Sequence, residues 1–216
     1  MLGEVFDPKA ETHIFEHCRP HWSQAGAVVF VTFRTKDSIP QKVIELWDRQ
    51  KTVWLERRGY DGSQHWQKNL PLVSEKDRAD FLKEFNRCCE DFLDTCHGEC
   101  VLRRPELANI VARSLLHFDE DRYRMGDFVV MPNHVHLLAV FRSPELLKTQ
   151  CDSWLHFTAV QINQVLKRKG KFWQQEPFDH LVRSTEQYEY LRNYIAQNPA
   201  KARLQPGEYY YRRFED

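Results

Sequence analysis

Runs of apolar residues that alternate with polar ones, or that have no polar interruption, mark four predicted strands. The run at 25–34 is nearly all apolar and rich in β-branched and aromatic residues, which is typical of a central strand. Two further runs, 123–131 and 134–141, are separated only by a turn-forming Pro-Asn pair, so they predict a hairpin. A short fourth strand is predicted at 178–183.

The segments between these strands carry apolar residues at helical spacing, three or four positions apart. Five helices are therefore predicted, at 40–57, 72–100, 105–116, 143–169 and 185–197. We expect Asn198 and Pro199 to break the last helix, because a proline disfavours helical backbone in the residue before it.

The order of these elements is strand, helices, strand, strand, helix, strand, helix, which is typical of a ferredoxin-like α+β sandwich. We predict an antiparallel, RRM-like sheet with helices on one face, elaborated crossover helices and an additional C-terminal helix. The predicted organisation is a single domain at 25–204 with a helical insertion at about 58–117. An N-terminal arm of irregular or short helical structure at 1–24 and a tail at 205–216 flank it.

The composition indicates a globular protein with a sizeable core and gives no sign of a membrane span. Hydrophobic residues make up 42% of the 216 residues, which is enough for a sizeable core. No run approaches the length of about eighteen apolar residues that a membrane span needs, and the N-terminus lacks a signal-like apolar run, so we expect a cytoplasmic protein. The 31 acidic residues balance the 31 basic ones, so a nucleic-acid site has to be a local basic patch.

Six cysteines are present, and we expect reduced thiols because the chain carries no secretion signal. A zinc site remains open at the cluster formed by Cys88, Cys89, Cys96, His97 and Cys100, although no C-x-x-C pair is present. The alternative is that these are buried cysteines of a helix.

Two histidines have a spacing that suits metal binding. His134 and His136 are alternate residues of a predicted strand, so their side chains lie on the same face. Two imidazoles that converge on one point can both bind the same metal ion.

A second pair with chemical potential lies in the last predicted helix. Tyr194 and Asn198 are four residues apart and share a helix face. An amide oxygen is a suitable third metal ligand, and a tyrosine beside a bound metal could attack a phosphodiester. Alternatives stay open, because an Asn before a proline is also a common N-cap, Tyr194 can be a packing residue, and Tyr188 and Tyr190 compete with it as nucleophiles.

A basic run beside aromatic residues is a candidate DNA-binding surface. It contains Lys167, Arg168, Lys169 and Lys171, followed by Trp173, and this combination suits phosphate contacts and base stacking. Further basic residues would join it if they lie on the same face: Arg183, Lys201, Arg203, Arg212 and Arg213. The alternative is a solvated helix end whose lysines interact with the helix dipole.

Two of these motifs resemble a known protein family. The run 128–138, with its His-Val-His motif, and the run 194–202, with its Tyr-x-x-x-Asn-Pro motif, are similar to the single-tyrosine HUH (His-hydrophobic-His) transposases. They resemble most closely the REP-associated tyrosine transposase branch. Shorter similarities occur in the same order over residues 25–204.

The resemblance implies a metal-dependent endonuclease and strand transferase that cleaves single-stranded DNA near short imperfect hairpins through a 5′-phosphotyrosine. It implies His134, His136 and Asn198 as ligands of Mg²⁺ or Mn²⁺, and Tyr194 as the nucleophile. We expect a monomer or homodimer that is associated with the nucleoid and has no membrane partner. Three alternatives stay open: a non-cleaving hairpin-binding regulator, a replication-initiator-like HUH nickase, and a metal-dependent hydrolase that uses water.

Overall fold

Two short strands of the N-terminal arm pair with each other. In the computed structural model, which describes residues 1–16, 20–174 and 177–215, strand β1 (His13–Glu16) pairs antiparallel with strand β2 (Pro20–Ser23). The prediction of irregular or helical structure was wrong, because both segments contain residues that favour extended backbone. Pro20 is the first residue of its strand, a position that tolerates the missing N–H.

The chain divides into two compact units. One consists of Met1–Lys36 with Glu99–Asp216, and the other is the continuous segment Asp37–Gly98. The continuous unit begins and ends earlier in the sequence than the insertion predicted at about 58–117.

The unit at 37–98 is helical. Its helices are α1 (Gln41–Glu56), α2 (Trp66–Asn69) and α3 (Glu75–Leu93). The buried side chains that form its core are Trp54, Leu55, Trp66, Val73, Phe81 and Phe85. Helix α3 begins after Ser74, whose hydroxyl accepts a hydrogen bond from the N–H of Asp77 at 3.1 Å, and it ends before the predicted boundary at residue 100.

The cysteine-rich segment does not assemble a zinc site within this unit. His97 stacks on Phe92 with ring centroids 4.6 Å apart, and Cys88 is exposed. No three cysteine or histidine side chains in the described residues of 37–98 lie close enough to bind one metal ion.

The other unit is built on a five-stranded antiparallel sheet. Its strands are β3 (Val28–Arg34), β4 (Tyr123–Val130), β5 (His134–Phe141), β6 (Phe178–Leu181) and β7 (Tyr210–Arg212). The spatial order is β6-β3-β5-β4-β7, and every neighbouring pair is antiparallel. The first four strands of this order have the ferredoxin-like arrangement, so the predicted fold class is confirmed. Strand β7, from the predicted tail, extends the sheet beyond β4.

Helices cover both faces of this sheet. Helices α4 (Pro105–Leu116) and α5 (Pro144–Val165) pack on one face, and α6 (Thr185–Lys201) lies on the other. Alternate residues of the strands and the apolar stripes of α4 and α5 form the main core, which includes Val29, Val31, Phe33, Leu107, Val111, Phe128, Val135, Leu137, Trp154 and Ile162. None of the described helices is long and apolar enough to cross a membrane.

A β-bulge in β4 changes which residues face α6. Between Met125 and Phe128 the strand carries one more residue than its partner β5. Both residues therefore point into the main core, while Asp127 between them points to the opposite face and contacts α6. Gly126 is required at the bulge because an added Cβ would lie 2.9 Å from a backbone oxygen of β5.

Helix α6 continues through the Asn-Pro pair, so the prediction that it ends there was wrong. Pro199 lies in the last turn and the helix ends at Lys201. At this position a proline costs only one backbone hydrogen bond, and the carbonyl groups of the turn are satisfied by later amides. Ala202 N–H donates to the Asn198 carbonyl at 3.0 Å, and Leu204 N–H donates to the Pro199 carbonyl at 2.9 Å.

Candidate functional site

The two histidines of the His-Val-His motif lie side by side on the sheet face that α6 covers. His134 is the first residue of β5 and His136 is the third, so both side chains point to that face. Their ring centroids are 4.6 Å apart with an angle of 71° between the planes, and both side chains are fully buried. Ring nitrogens of the two residues lie within 4.8 Å of each other, which is close enough to share one metal ion.

His136 is held between β3 and α6. Thr32, its cross-strand partner on β3, places its hydroxyl oxygen 2.7 Å from His136 Nδ1. On the other side of the ring, the Tyr194 hydroxyl oxygen lies 3.3 Å from His136 Nε2, within hydrogen-bonding distance. Phe30 stacks on the same imidazole with centroids 5.4 Å apart.

His134 is held by the turn that precedes β5. Its Nδ1 lies 2.7 Å from Asn133 Oδ1. Its Nε2 is a buried nitrogen that meets no donor or acceptor at normal hydrogen-bond geometry among the described residues. Asn198 is fully buried in α6, and its side chain is a hydrogen-bonding neighbour of the His134 ring.

Burial keeps both imidazoles neutral. It lowers the pKa of His134 to about 3, and a hydrogen bond from the ring to the Asn198 side chain opposes this only in part. Burial, followed by the influence of His134 and Lys201, also holds the pKa of His136 well below its usual value. Neutral imidazoles have the free lone pair that a metal ligand needs.

Tyr194 is the tyrosine of α6 that reaches the histidines. Its side chain is only 8% exposed and lies edge-on to Phe30 with centroids 6.3 Å apart. The Lys201 ammonium lies 4.7 Å from the centre of the Tyr194 ring.

The two competing tyrosines have other surroundings. Tyr188 is fully buried and its hydroxyl accepts a hydrogen bond from Leu2 N–H at 3.2 Å. Tyr190 is 66% exposed and stacks on Tyr194 with centroids 6.5 Å apart.

A third histidine belongs to the same sheet face. His180 on β6 is the cross-strand partner of Phe30, and the two rings have centroids 5.3 Å apart. Burial, with a smaller contribution from Arg183, lowers the pKa of His180 to about 4. The sequence signal for its position was the short strand at 178–183, although nothing in that strand indicated its partner.

The network that anchors α6 was missed altogether. Arg192 donates through Nε to Asp127 Oδ2 at 2.9 Å and through Nη2 to the Phe214 carbonyl at 3.0 Å. The Tyr211 hydroxyl donates to the same Asp127 carboxylate at 3.4 Å. These contacts join α6, the bulge of β4 and the C-terminal segment.

The predicted DNA-binding residues divide into exposed cations and structural residues. The exposed ones are Lys167, Lys169, Lys171, Arg183, Lys201 and Arg203. Arg168 is half-buried, pairs with Glu99 at 2.6 Å and donates to Asn163 Oδ1 at 3.3 Å, so it also supports the loop after α5.

Two predicted contributors to DNA binding are needed by the fold. Trp173 is 5% exposed, donates to Thr158 Oγ1 at 2.8 Å and packs edge-on against Phe33, so its ring is not accessible for base stacking. Arg212 donates to the Met125 carbonyl at 2.8 Å and pairs with Asp119 at 3.3 Å. The composition of both segments suggested a basic, aromatic surface, but it did not show which side chains turn inward.

The donor set of this site fits a divalent ion. His134 Nε2 is buried and makes no hydrogen bond of normal geometry among the described residues, and His136 Nε2 lies 3.3 Å from the Tyr194 hydroxyl oxygen. Two imidazoles with a side-chain amide oxygen suit several divalent ions, whereas Mg²⁺ prefers a site made of oxygen ligands.

Comparison with known proteins gives one weak structural match. No family profile and no curated sequence matches the chain. A solved structure of a REP-associated tyrosine transposase bound to a REP hairpin aligns over 84% of this chain and 71% of its own, with a TM-score of 0.42 and 14% sequence identity. Similarity at this level does not transfer the activity or the ligand of that protein to this chain.

Proposed function

We propose that this protein is a metal-dependent endonuclease and strand transferase that cleaves single-stranded DNA near hairpins, with Tyr194 as the nucleophile. The observation that carries the proposal is the position of the Tyr194 hydroxyl, 3.3 Å from Nε2 of His136, beside the second buried imidazole of His134. A buried phenol next to two neutral histidines is an arrangement that phosphoryl transfer can use.

Each residue has a distinct role in this proposal. His134, His136 and Asn198 would hold a divalent ion, which supplies charge stabilisation for the phosphate when bound. Tyr194 gives up its phenol proton and forms the new O–P bond while the P–O3′ bond of the DNA breaks. The departing 3′ oxygen takes up a proton, so the step transfers one proton overall from the phenol to that oxygen. The products are a free 3′-hydroxyl and a 5′-phosphotyrosine, and attack by a 3′-hydroxyl reverses the step without a nucleotide cofactor.

Single-stranded hairpin DNA is proposed as the substrate because the His-Val-His and Tyr-x-x-x-Asn-Pro motifs resemble those of REP-associated transposases. The exposed cations support a phosphate-binding role. Lys201 lies beside the Tyr194 ring, and Lys167, Lys169 and Lys171 form an exposed basic loop after α5. On a chain of zero net charge, such local groups are the means of binding a polyanion.

The test is covalent-adduct formation on labelled single-stranded DNA that carries an imperfect hairpin, with Mn²⁺ and with EDTA. On denaturing gels the wild type is expected to form an adduct in Mn²⁺ only, and Tyr194→Phe is expected to form none. His136→Ala should lose the adduct through loss of the metal. Tyr190→Phe is the matched control, since it removes a hydroxyl from the neighbouring, exposed tyrosine of the same helix.

Other outcomes would point to the other functions. Cleavage by Tyr194→Phe without an adduct would refute the tyrosine mechanism and support a hydrolase that uses water. Hairpin binding by the wild type without cleavage would support a regulator. An adduct that never transfers its strand to a second 3′ end would support an initiator-like nickase.

A further inference from the structure

We propose that Thr32 and Asn133 are positioning residues that fix His134 and His136 in one tautomer, with the proton on Nδ1 and the lone pair on Nε2. The inference rests on the proposed function only where it assigns these lone pairs to a metal ion. The tautomers themselves are assigned from the contacts of the two rings and from the donor strengths of their partners.

The shortest side-chain contact of His134, to Asn133, indicates its tautomer. Its Nδ1 lies 2.7 Å from Asn133 Oδ1, and an amide oxygen can only accept a hydrogen bond. A neutral imidazole carries one ring proton, so that proton is on Nδ1 and Nε2 is left with its lone pair.

The position of Asn133 is itself constrained by the fold. Its carbonyl accepts a hydrogen bond from Thr35 N–H at 2.8 Å, which ties the turn before β5 to the end of β3. In the same turn, Met131 N–H donates to the His134 carbonyl at 2.8 Å. These backbone hydrogen bonds fix the position from which the Asn133 side-chain amide contacts the His134 ring.

His136 lies between two hydroxyl groups, each of which can donate or accept a hydrogen bond. A phenol is a stronger donor and a weaker acceptor than an aliphatic alcohol, so we assign Tyr194 as the donor to Nε2, which puts the ring proton on Nδ1. The Nδ1–H then donates to the Thr32 hydroxyl at 2.7 Å, which can accept it. Thr32 is buried and β-branched, so its hydroxyl has few rotamers in which to leave this position.

These two contacts direct both Nε2 atoms to the face covered by α6, where Tyr194 and Asn198 lie. Without them each ring would distribute its proton over both nitrogens, and a proton on Nε2 blocks metal coordination. Residues that orient ligand imidazoles in this way are typically worth about 10- to 100-fold in metal affinity.

The experiment compares Thr32→Val, which keeps the shape and removes the hydroxyl, with Thr32→Ser, which keeps the hydroxyl. Thr158→Val is the matched control, because Thr158 is another buried threonine whose hydroxyl binds Trp173 on the other face of the sheet. Two readouts are needed: imidazole ¹⁵N shifts of the metal-free protein, and Mn²⁺ affinity by titration without DNA.

The expected result is a wild type with both rings in the Nδ1–H form. In Thr32→Val, His136 should show a mixed tautomer signal and Mn²⁺ affinity should fall about tenfold or more, while Thr32→Ser and Thr158→Val keep the wild-type values. Asn133→Leu should produce the same change at His134.

Wild-type rings in the Nε2–H form would overturn the inference, as would a Thr32→Val protein with an unchanged His136 signal. The failure of the proposed function looks different. A wild type with both rings in the Nδ1–H form that binds no Mn²⁺ would support the tautomer assignment and remove the metal from the proposed reaction.

Discussion

Replacing Arg192 with methionine is expected to destabilise the sheet-containing unit by about 3 kcal/mol at pH 7.5. The Asp127 side chain is 2% exposed and the Arg192 side chain 15% exposed, and Nε and Oδ2 are 2.9 Å apart. Methionine keeps the aliphatic part of the side chain but leaves a buried carboxylate without its cation. The Tyr211 hydroxyl, at 3.4 Å, is too distant to replace it.

The size of the effect follows from the burial of the two partners. Removing one member of a fully buried ion pair costs about 3–5 kcal/mol, and the partial exposure of Arg192 places this pair at the lower end. Neutralising the carboxylate should recover part of the loss, so the double variant Asp127→Asn, Arg192→Met is expected to be about 1–2 kcal/mol more stable than Arg192→Met alone.

Urea unfolding measures this difference, and hydrogen exchange of the α6 amides localises it. With a slope of about 2 kcal/mol per molar urea, the midpoint should fall by about 1.5 M. Arg213→Met is the control, since it removes an exposed arginine of the same C-terminal segment and should stay within about 0.5 kcal/mol of the wild type. An Arg192→Met protein no less stable than this control would refute the reasoning, and so would a double variant that recovers nothing.

Three further predictions concern the same unit. Because burial lowers the pKa of His180 from 6.5 to about 4, the unfolded chain takes up that proton first and stability is lost as the pH falls between these values. Between pH 7.5 and 5 the wild type should lose up to about 2 kcal/mol more than His180→Asn in urea titrations with EDTA, and equal losses would contradict this. Trp173→Ala should cost about 3–5 kcal/mol of stability yet leave hairpin affinity unchanged where it is folded, whereas Lys171→Ala should weaken binding and reduce the salt slope by about one. A stable Trp173→Ala protein that no longer binds DNA would restore a stacking role for the ring. Gly126→Ala should destabilise by about 1–3 kcal/mol, because its Cβ would lie 2.9 Å from a carbonyl oxygen of β5, and unaltered unfolding would show that the bulge adjusts freely.

Local pattern was sufficient to predict the sheet and the shared face of the two histidines. The bounds of β5 agree with the prediction, since the run 134–141 is apolar apart from its two histidines and a turn directly precedes it. The sequence also predicted that Tyr194 and Asn198 share a helix face, because residues four positions apart lie on the same side of a helix. This holds although the predicted end of the helix was wrong.

Features that depend on partners distant in sequence could not be read in the same way. Asp127 and Arg192 are 65 residues apart and meet only because a bulge turns the carboxylate towards α6. Trp173 follows a run of lysines, and nothing local shows that its indole reaches Thr158 in the core. The end of α6 was misplaced because the general preference against helix before proline is weak in a final turn.

The short strands at both sides of the sheet have a consequence for solubility during folding. An outer strand with unpaired backbone groups is a template on which another chain can add a strand, and long flat outer strands promote aggregation. Here the outer positions are taken by β6, with four residues, and β7, with three. The long apolar strands β3, β4 and β5 are thereby enclosed, and the C-terminal segment protects β4 from intermolecular pairing. Truncation of β7 would remove only three residues, but it would expose the β4 backbone and promote self-association.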